Sequence, residues 1–235
     1  MPLTKAKGNM YDWVTHTHTH LAGECPHKCS YCYVQAMARR FKSDRYQGPL
    51  RLVEAELAVN YGHGKTIFVE HCNDMFADDV HYCMVAAILA HCRQYPENMY
   101  VFQTKNPLGY MDWREALPPN RLLGCTIETT DMLVAESMSQ APAPHLRAFA
   151  MQTIRNYGER TFITIEPILC GDMELLASWC AMCDPRFVNI GADSKGTGLP
   201  EPTPQQVRQL VDELQRLNVT VRQKRNLGRL LKEGG

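Results

Sequence analysis

The sequence predicts a partial (β/α)6-type TIM barrel, an α/β fold whose mostly parallel sheet is open on one side. Apolar runs of strand length alternate with longer helical patterns, which is the signature of repeated βαβ units. The number of such units falls short of a closed barrel, and 235 residues suit one sizeable core better than two.

Taken in order, residues 13–21 read as the first strand, followed at once by a cysteine-rich loop and a helix over 33–41. A strand over 66–71 precedes a helix over 79–94, whose apolar stretch is too long for a strand. Residues 99–104 and 122–127 supply the third and fourth strands, and a helix over 144–157 leads to the fifth, at 161–165. Residues 187–190 and 219–222 supply the sixth and seventh, separated by an amphipathic helix over 203–217. The Gly- and Pro-rich stretch 191–204 is expected to form a long loop over the carboxyl ends of the strands, where such barrels place their active sites. No internal repeat, low-complexity tract or flexible linker interrupts the pattern. One domain over residues 1–235 is therefore expected.

Composition narrows the class. A hydrophobic content of 45% and a charged content of 21% are ordinary for a globular protein, and the formal net charge of zero gives the whole molecule no general attraction to polyanions. The longest apolar run, residues 84–90, is too short to span a bilayer, and the N-terminal residues lack the apolar segment of a secretory signal. Ten cysteines without such a signal indicate a reducing compartment, so a cytoplasmic location without membrane association is expected.

Three of those cysteines carry the chemistry. Cys25, Cys29 and Cys32 stand in Cys25-Pro26-His27-Lys28-Cys29-Ser30-Tyr31-Cys32-Tyr33. Three thiolates at this spacing suit an iron–sulfur cluster that leaves one iron open for a ligand. A zinc knuckle is the alternative, but zinc takes four ligands, and His27 lies inside the tight loop. Of the remaining seven, Cys180 and Cys183 fall in a helical-looking apolar stretch and, with Cys170, read as small hydrophobes in preference to a second cluster.

The spacing, with Tyr31 just before the last cysteine, resembles the radical S-adenosylmethionine superfamily. The resemblance implies a [4Fe–4S] cluster on Cys25, Cys29 and Cys32, with S-adenosylmethionine bound at the fourth iron and cleaved reductively to a 5′-deoxyadenosyl radical that abstracts a hydrogen atom from substrate. It also implies an external flavodoxin- or ferredoxin-like one-electron reductant. Further segments resemble a phage-associated group distantly similar to spore photoproduct lyase: Phe68-Val69-Glu70-His71-Cys72-Asn73-Asp74-Met75-Phe76, Phe102-Gln103-Thr104-Lys105-Asn106-Pro107, Leu123-Gly124-Cys125-Thr126-Ile127-Glu128, Thr164-Ile165-Glu166-Pro167 and Asn189-Ile190-Gly191-Ala192-Asp193. The Gly-Gly-Glu segment frequent in the wider superfamily is absent, so Asn73, Asp74 or carbonyls near Glu70 are expected to take its place.

S-adenosylmethionine needs acceptors for its ammonium and ribose hydroxyls and donors for its carboxylate. Glu128 and Glu166 are candidate acceptors, and Thr104, Lys105 and Lys224 candidate donors; each has an ion pair of the barrel rim as its alternative. Tyr31 is expected to shield the cluster and pack near the adenine. The alternating run Thr15-His16-Thr17-His18-Thr19-His20 puts its histidines on one strand face, where roughly 7 Å between same-face neighbours suits a polar barrel lining better than a metal site.

Two basic segments interleave or adjoin aromatics: Arg39, Arg40, Lys42, Arg45 and Arg51 with Phe41 and Tyr46, and Arg216, Arg222, Lys224, Arg225, Arg229 and Lys232. They read either as solvated faces or as a track for nucleic acid. Three classes stay open: a radical enzyme acting on nucleic acid or a nucleotide, one acting on a peptide or small metabolite, and a non-catalytic iron–sulfur or zinc protein.

Overall fold

The structure is a computed structural model and describes residues 3–194 and 196–232. The chain opens with β1 (Thr4–Lys5) and an arm that leads to β2 (His16–His18). Next, β3 (Leu21–Ala22) and the cysteine loop precede α1 (Tyr33–Phe41), after which β4 (Arg51–Leu52) returns to pair antiparallel with β3. The alternation then becomes regular. β5 (Thr66–Val69) is followed by α2 (Tyr82–Arg93), β6 (Met99–Thr104) by the single turn α3 (Gly109–Asp112), and β7 (Arg121–Thr126) by α4 (Met132–Met138) and α5 (Pro144–Asn156). β8 (Thr161–Ile165) is followed by α6 (Met173–Met182), β9 (Val188–Ile190) by α7 (Pro204–Arg216), and β10 (Val221–Gln223) by α8 (Gly228–Leu231).

One eight-stranded sheet runs β1-β2-β5-β6-β7-β8-β9-β10. Every pairing from β2 to β10 is parallel, with registers such as His16 opposite Ile67 and Gly124 opposite Phe162, and β1 alone lies antiparallel on β2. β1 and β10 remain edges, so the barrel is open, as the strand count predicts.

Alternation along each strand divides two cores. Ile67, Tyr100, Phe102, Leu123, Ile163, Ile165, Val188 and Ile190 face the helices and pack with Ile88, Leu89, Met151, Leu176 and Leu210. Phe68, Val101, Leu122 and Phe162 point into the half-barrel, where Tyr11 and Val14 of the N-terminal arm join them. Gly124 is required on this inner face, because a Cβ there would stand 2.2 Å from the Phe162 ring. Local signals start three of the helices. Asp131 and Asp172 cap α4 and α6, and Thr203 forms a reciprocal capping box with Gln206 at α7.

The first strand differs from expectation. The ladder ends at His18 because the Glu70 carboxylate takes the amides of His20 (2.6 Å) and Leu21 (3.2 Å), diverting the chain to β3. The histidines of the alternating run do not line the barrel. Thr17 faces inward, whereas His18 and His20 are buried on the outer side against Tyr61 and His91. Burial, with His20 beside it, pushes the pKa of His18 down to about 4. Cys180 is buried in the helix-side core with Cys183, Cys92 and Cys125, as small hydrophobes are.

Candidate functional site

Cys25, Cys29 and Cys32 are free, half-buried thiols on the loop between β3 and α1. Tight turns shape the loop: Lys28 N–H donates to the Cys25 carbonyl (3.2 Å), Cys32 N–H to that of Cys29 (3.1 Å), and Lys28 adopts a left-handed φ of 45°. The chain after α4 braces it from one side, where Gln140 N–H and the Ser139 hydroxyl both reach the His27 carbonyl and Ser139 Oγ stands 3.2 Å from Cys29 Sγ.

From the other side the loop is held by the segment that follows β5, which bends sharply through Glu70 at a φ of 57°. Asn73 donates to the Gly23 carbonyl (3.2 Å), and the His27 ring meets Asp74 Oδ2 at 2.8 Å. The Asp74 carboxylate also accepts from the Thr104 hydroxyl and from the amides of Lys105 and Phe76. Burial would raise its pKa, but His27 and these donors hold it below the usual carboxylate range. Asn73, Asp74 and Thr104 thus tie three strand ends and the cysteine loop together, with their polar atoms already engaged.

A cavity of about 510 Å³ opens beside the loop, inside the half-barrel at the carboxyl ends of the strands. Cys29, Tyr31 and Cys32 form one wall; Thr17, Gln103 and Lys105 another; Glu166, Asp193 and Lys224 close the far side. The expected loop after β9 contributes Ala192, Asp193 and Ser194. Tyr33, also on the wall, donates to the His71 carbonyl (2.5 Å) and lies 3.8 Å from Cys72 Sγ.

Two ion clusters frame this space. Glu128, 1% exposed, accepts from the Tyr31 hydroxyl (2.8 Å) and Lys105 Nζ (2.8 Å) through one oxygen and from Arg147 (2.6 Å) through the other. Lys105 also donates to Tyr31 and sits 4.5 Å from its ring centroid. Burial alone would raise the Glu128 carboxyl, but Lys105 and then Arg147 hold it down at about 2. Across the cavity Glu166 accepts from Lys224 (2.5 Å), Asn9 (2.7 Å) and Asn226 (3.0 Å), and Lys224 lies 4.7 Å from the Tyr11 ring centroid. Of the residues singled out from sequence, Tyr31, Lys105, Glu166 and Lys224 line the cavity, while Glu128 stands behind the wall.

The arm supplies what the sequence pattern missed. Tyr11 donates to Gln103 (2.6 Å), bonds Thr164 (2.7 Å) and floors the cavity, and Asn9 joins Glu166. Its Tyr-Asp-Trp aromatic pair was the available signal, stacked here with ring centroids 5.1 Å apart.

The donor set fits a polynuclear iron–sulfur group. Burial and the nearby Asp74 charge push the Cys25 thiol up to about 12, and burial raises Cys32, so deprotonation of this set calls for a bound cation. Among the described residues no three His, Cys, Asp or Glu side chains converge on a single metal ion. In a four-iron cluster each cysteine takes a different iron, so such a group does not require three donors to converge on one ion.

Comparisons with known proteins follow the same lines. Spore photoproduct lyase, in a variant with bound AdoMet and dinucleoside spore photoproduct, shares the fold at a TM-score of 0.63 and 11% identity, over 91% of this chain and 78% of its own. Streptococcus suis SuiB bound to S-adenosylmethionine does so at 0.59 and 12%, over 88% of this chain and 49% of its own. Both are radical S-adenosylmethionine enzymes, whose partial barrels correspond to the open sheet described above. No curated protein matches the sequence. A family profile described as a protein of unknown function, DUF5131, matches residues 9–224, from the arm through Lys224. The chain therefore belongs to the DUF5131 family, built on the fold it shares with spore photoproduct lyase and SuiB.

Proposed function

We propose that this chain is a radical S-adenosylmethionine enzyme acting on nucleic acid or a nucleotide, with residues 1–235 serving as one cytoplasmic catalytic domain. The observation that carries the reading is the placement of three half-buried free thiols on one loop, two of them, Cys29 and Cys32, at the wall of a cavity set at the carboxyl ends of a parallel half-barrel. The fold likeness supports it, as does the dinucleoside bound by one neighbour.

In this reading Cys25, Cys29 and Cys32 hold the [4Fe–4S] cluster. The bound cluster and S-adenosylmethionine would supply one-electron cleavage of the sulfonium, and with it a carbon-centred radical for hydrogen-atom abstraction. A flavodoxin- or ferredoxin-like protein would deliver the electron. Lys105 and Lys224 are the donors available to the cofactor carboxylate, Glu166 the acceptor for its ammonium or ribose, and the Tyr31 ring the apolar wall beside the cluster. Glu128 and Arg147 fix Lys105 and Tyr31, whereas Asn73, Asp74 and Thr104 position the cysteine loop. Tyr11 and the phenylalanines beneath it close the cavity floor and keep bulk water from the reacting groups.

The deciding experiment is anaerobic reconstitution with iron and sulfide, reduction with dithionite, and assay of S-adenosylmethionine for 5′-deoxyadenosine, with Cys29→Ala alongside. Cysteine-dependent product is expected. A fully loaded cluster that neither binds nor cleaves S-adenosylmethionine would overturn the reading.

A further inference from the structure

A second cavity, of about 540 Å³, lies on the open side of the half-barrel, between the N-terminal arm and the edge strand β10. It shares Asn9, Met10, Tyr11 and Lys224 with the first, so the arm is the partition between the two. Three cations, Arg222, Lys224 and Arg225, line it against a single carboxylate, Asp12.

These cations are not equivalent. Lys224 pairs with Glu166 and is assigned to the first cavity, and Arg225 reaches Asp12 only at 3.5 Å with both side chains more than three-quarters exposed. Arg222 has no carboxylate partner among the described residues. Its guanidinium instead lies 3.7 Å from the Phe187 ring centroid and 5.9 Å from that of Trp13. Burial and the nearby Arg186 charge both lower its pKa, so an anion at this point would relieve a repulsion already present. An arginine laid on an aromatic face is pre-organised, with the edge of its donor fork free for a phosphate. Three other arginines of the basic segments are paired: Arg216 with Glu213, Arg229 with Glu201 and Arg45 with Glu56.

We infer that this second cavity binds a phosphate of a single-stranded nucleic acid whose adjoining nucleotide occupies the reaction cavity, with Arg222 as the principal contact and Arg225 as its neighbour. The inference rests on the nucleic-acid reading of the first cavity and adds to it a subsite on the other side of the arm. Gly8 and Asn9, both exposed, give the strand a low crossing point over the partition. The preference is for a chain carrying a flanking phosphate over an isolated nucleoside.

Fluorescence anisotropy with labelled octathymidylate, competed by TpT and by 5′-phosphorylated TpT across a salt series, tests this with three proteins: wild type, Arg222→Gln and Arg216→Gln. Arg216→Gln removes the same charge from an exposed, Glu213-paired site on α7. Octathymidylate is expected to bind wild type and Arg216→Gln alike, and the 5′-phosphate to improve competition. Arg222→Gln should weaken binding about tenfold, flatten the salt slope by about 0.7 and abolish the advantage of the 5′-phosphate, with an unchanged melting temperature and S-adenosylmethionine affinity. Oligonucleotide binding that is identical in both variants would overturn the subsite and leave the nucleic-acid reading standing. Retained S-adenosylmethionine binding with no oligonucleotide binding by wild type would overturn both.

Discussion

Glu128 shows how a single residue carries the site wall. Its carboxylate pairs with Arg147, which is itself 1% exposed, and also meets the ammonium of Lys105. Removing one partner of a buried ion cluster leaves the other charges uncompensated, which costs about 3–5 kcal/mol. Glu128→Gln is therefore expected to lower the unfolding free energy by that order at neutral pH, read as a lower urea midpoint, and to weaken S-adenosylmethionine binding through a misplaced Lys105. The pH dependence has a definite sign. A carboxyl held at about 2 in the folded protein against 4.5 as its ordinary value contributes stability that is complete above 4.5 and disappears as pH falls toward 2. The difference in urea midpoint between wild type and Glu128→Gln should accordingly narrow from pH 5 to pH 3. A difference that stayed constant would mean that the Glu128 carboxyl titrates alike in the folded and unfolded chain. Sequence alone placed Glu128 at a strand end but not behind the wall, because Arg147 lies on α5 and reaches it only through the packing of that helix on β7.

At the scale of elements, the helix-facing side of the sheet was the most legible part of the chain. Runs such as Thr66–Val69 and Thr161–Ile165 declare themselves by composition, since parallel strands buried on both faces are apolar nearly throughout. The inner face depends on partners that register chooses. Gly124 pairs with Phe162 across β7 and β8, and the phenyl ring fills the space a side chain would need. Gly124→Ala is expected to cost about 1–3 kcal/mol by overpacking, read as a lower melting temperature, while a compensating Phe162→Leu in the same chain should recover part of the loss. If the single variant melted like wild type, the inner face would have to be looser than the registered pairing implies. The alternating histidines illustrate the limit of pattern reading: a period of two shows that they share a face, but which face meets the barrel interior is decided by how β2 docks on β5.

For the whole molecule, the half-barrel is closed below by its own N-terminal arm and leaves a cavity beside the cysteine loop. A ligand that binds only the native state stabilises it by about 2.7 kcal/mol at a hundredfold excess over Kd. For a chain of this size that amounts to a melting-temperature rise of about 5–10 °C. The reconstituted protein should show this rise with S-adenosylmethionine, and the Cys25→Ala, Cys29→Ala, Cys32→Ala triple variant should not. An equal rise in both would mean that the ligand sits away from the thiols. None of the helices among the described residues is long and apolar enough to cross a membrane, in keeping with the short apolar runs of the sequence.

What the sequence by itself determined is local or periodic: the cysteine spacing, the succession of the principal strands and helices, and the open parallel barrel they build, while the short strands at Thr4–Lys5 and Arg51–Leu52 and the helix Met132–Met138 carried no such signal. These follow from side-chain spacing along one segment, where chain connectivity already sets the distances. The tertiary structure alone decided the partnerships across the barrel. Glu70 stops the first strand by capturing the amides of His20 and Leu21, Tyr11 and Asn9 enter a site whose other members lie on distant strands, and Arg222 is laid on the aromatic face of Phe187. Such contacts join residues separated by tens to hundreds of positions, and their pairing is set by the docking of whole elements, for which no short stretch of sequence carries a period or a motif.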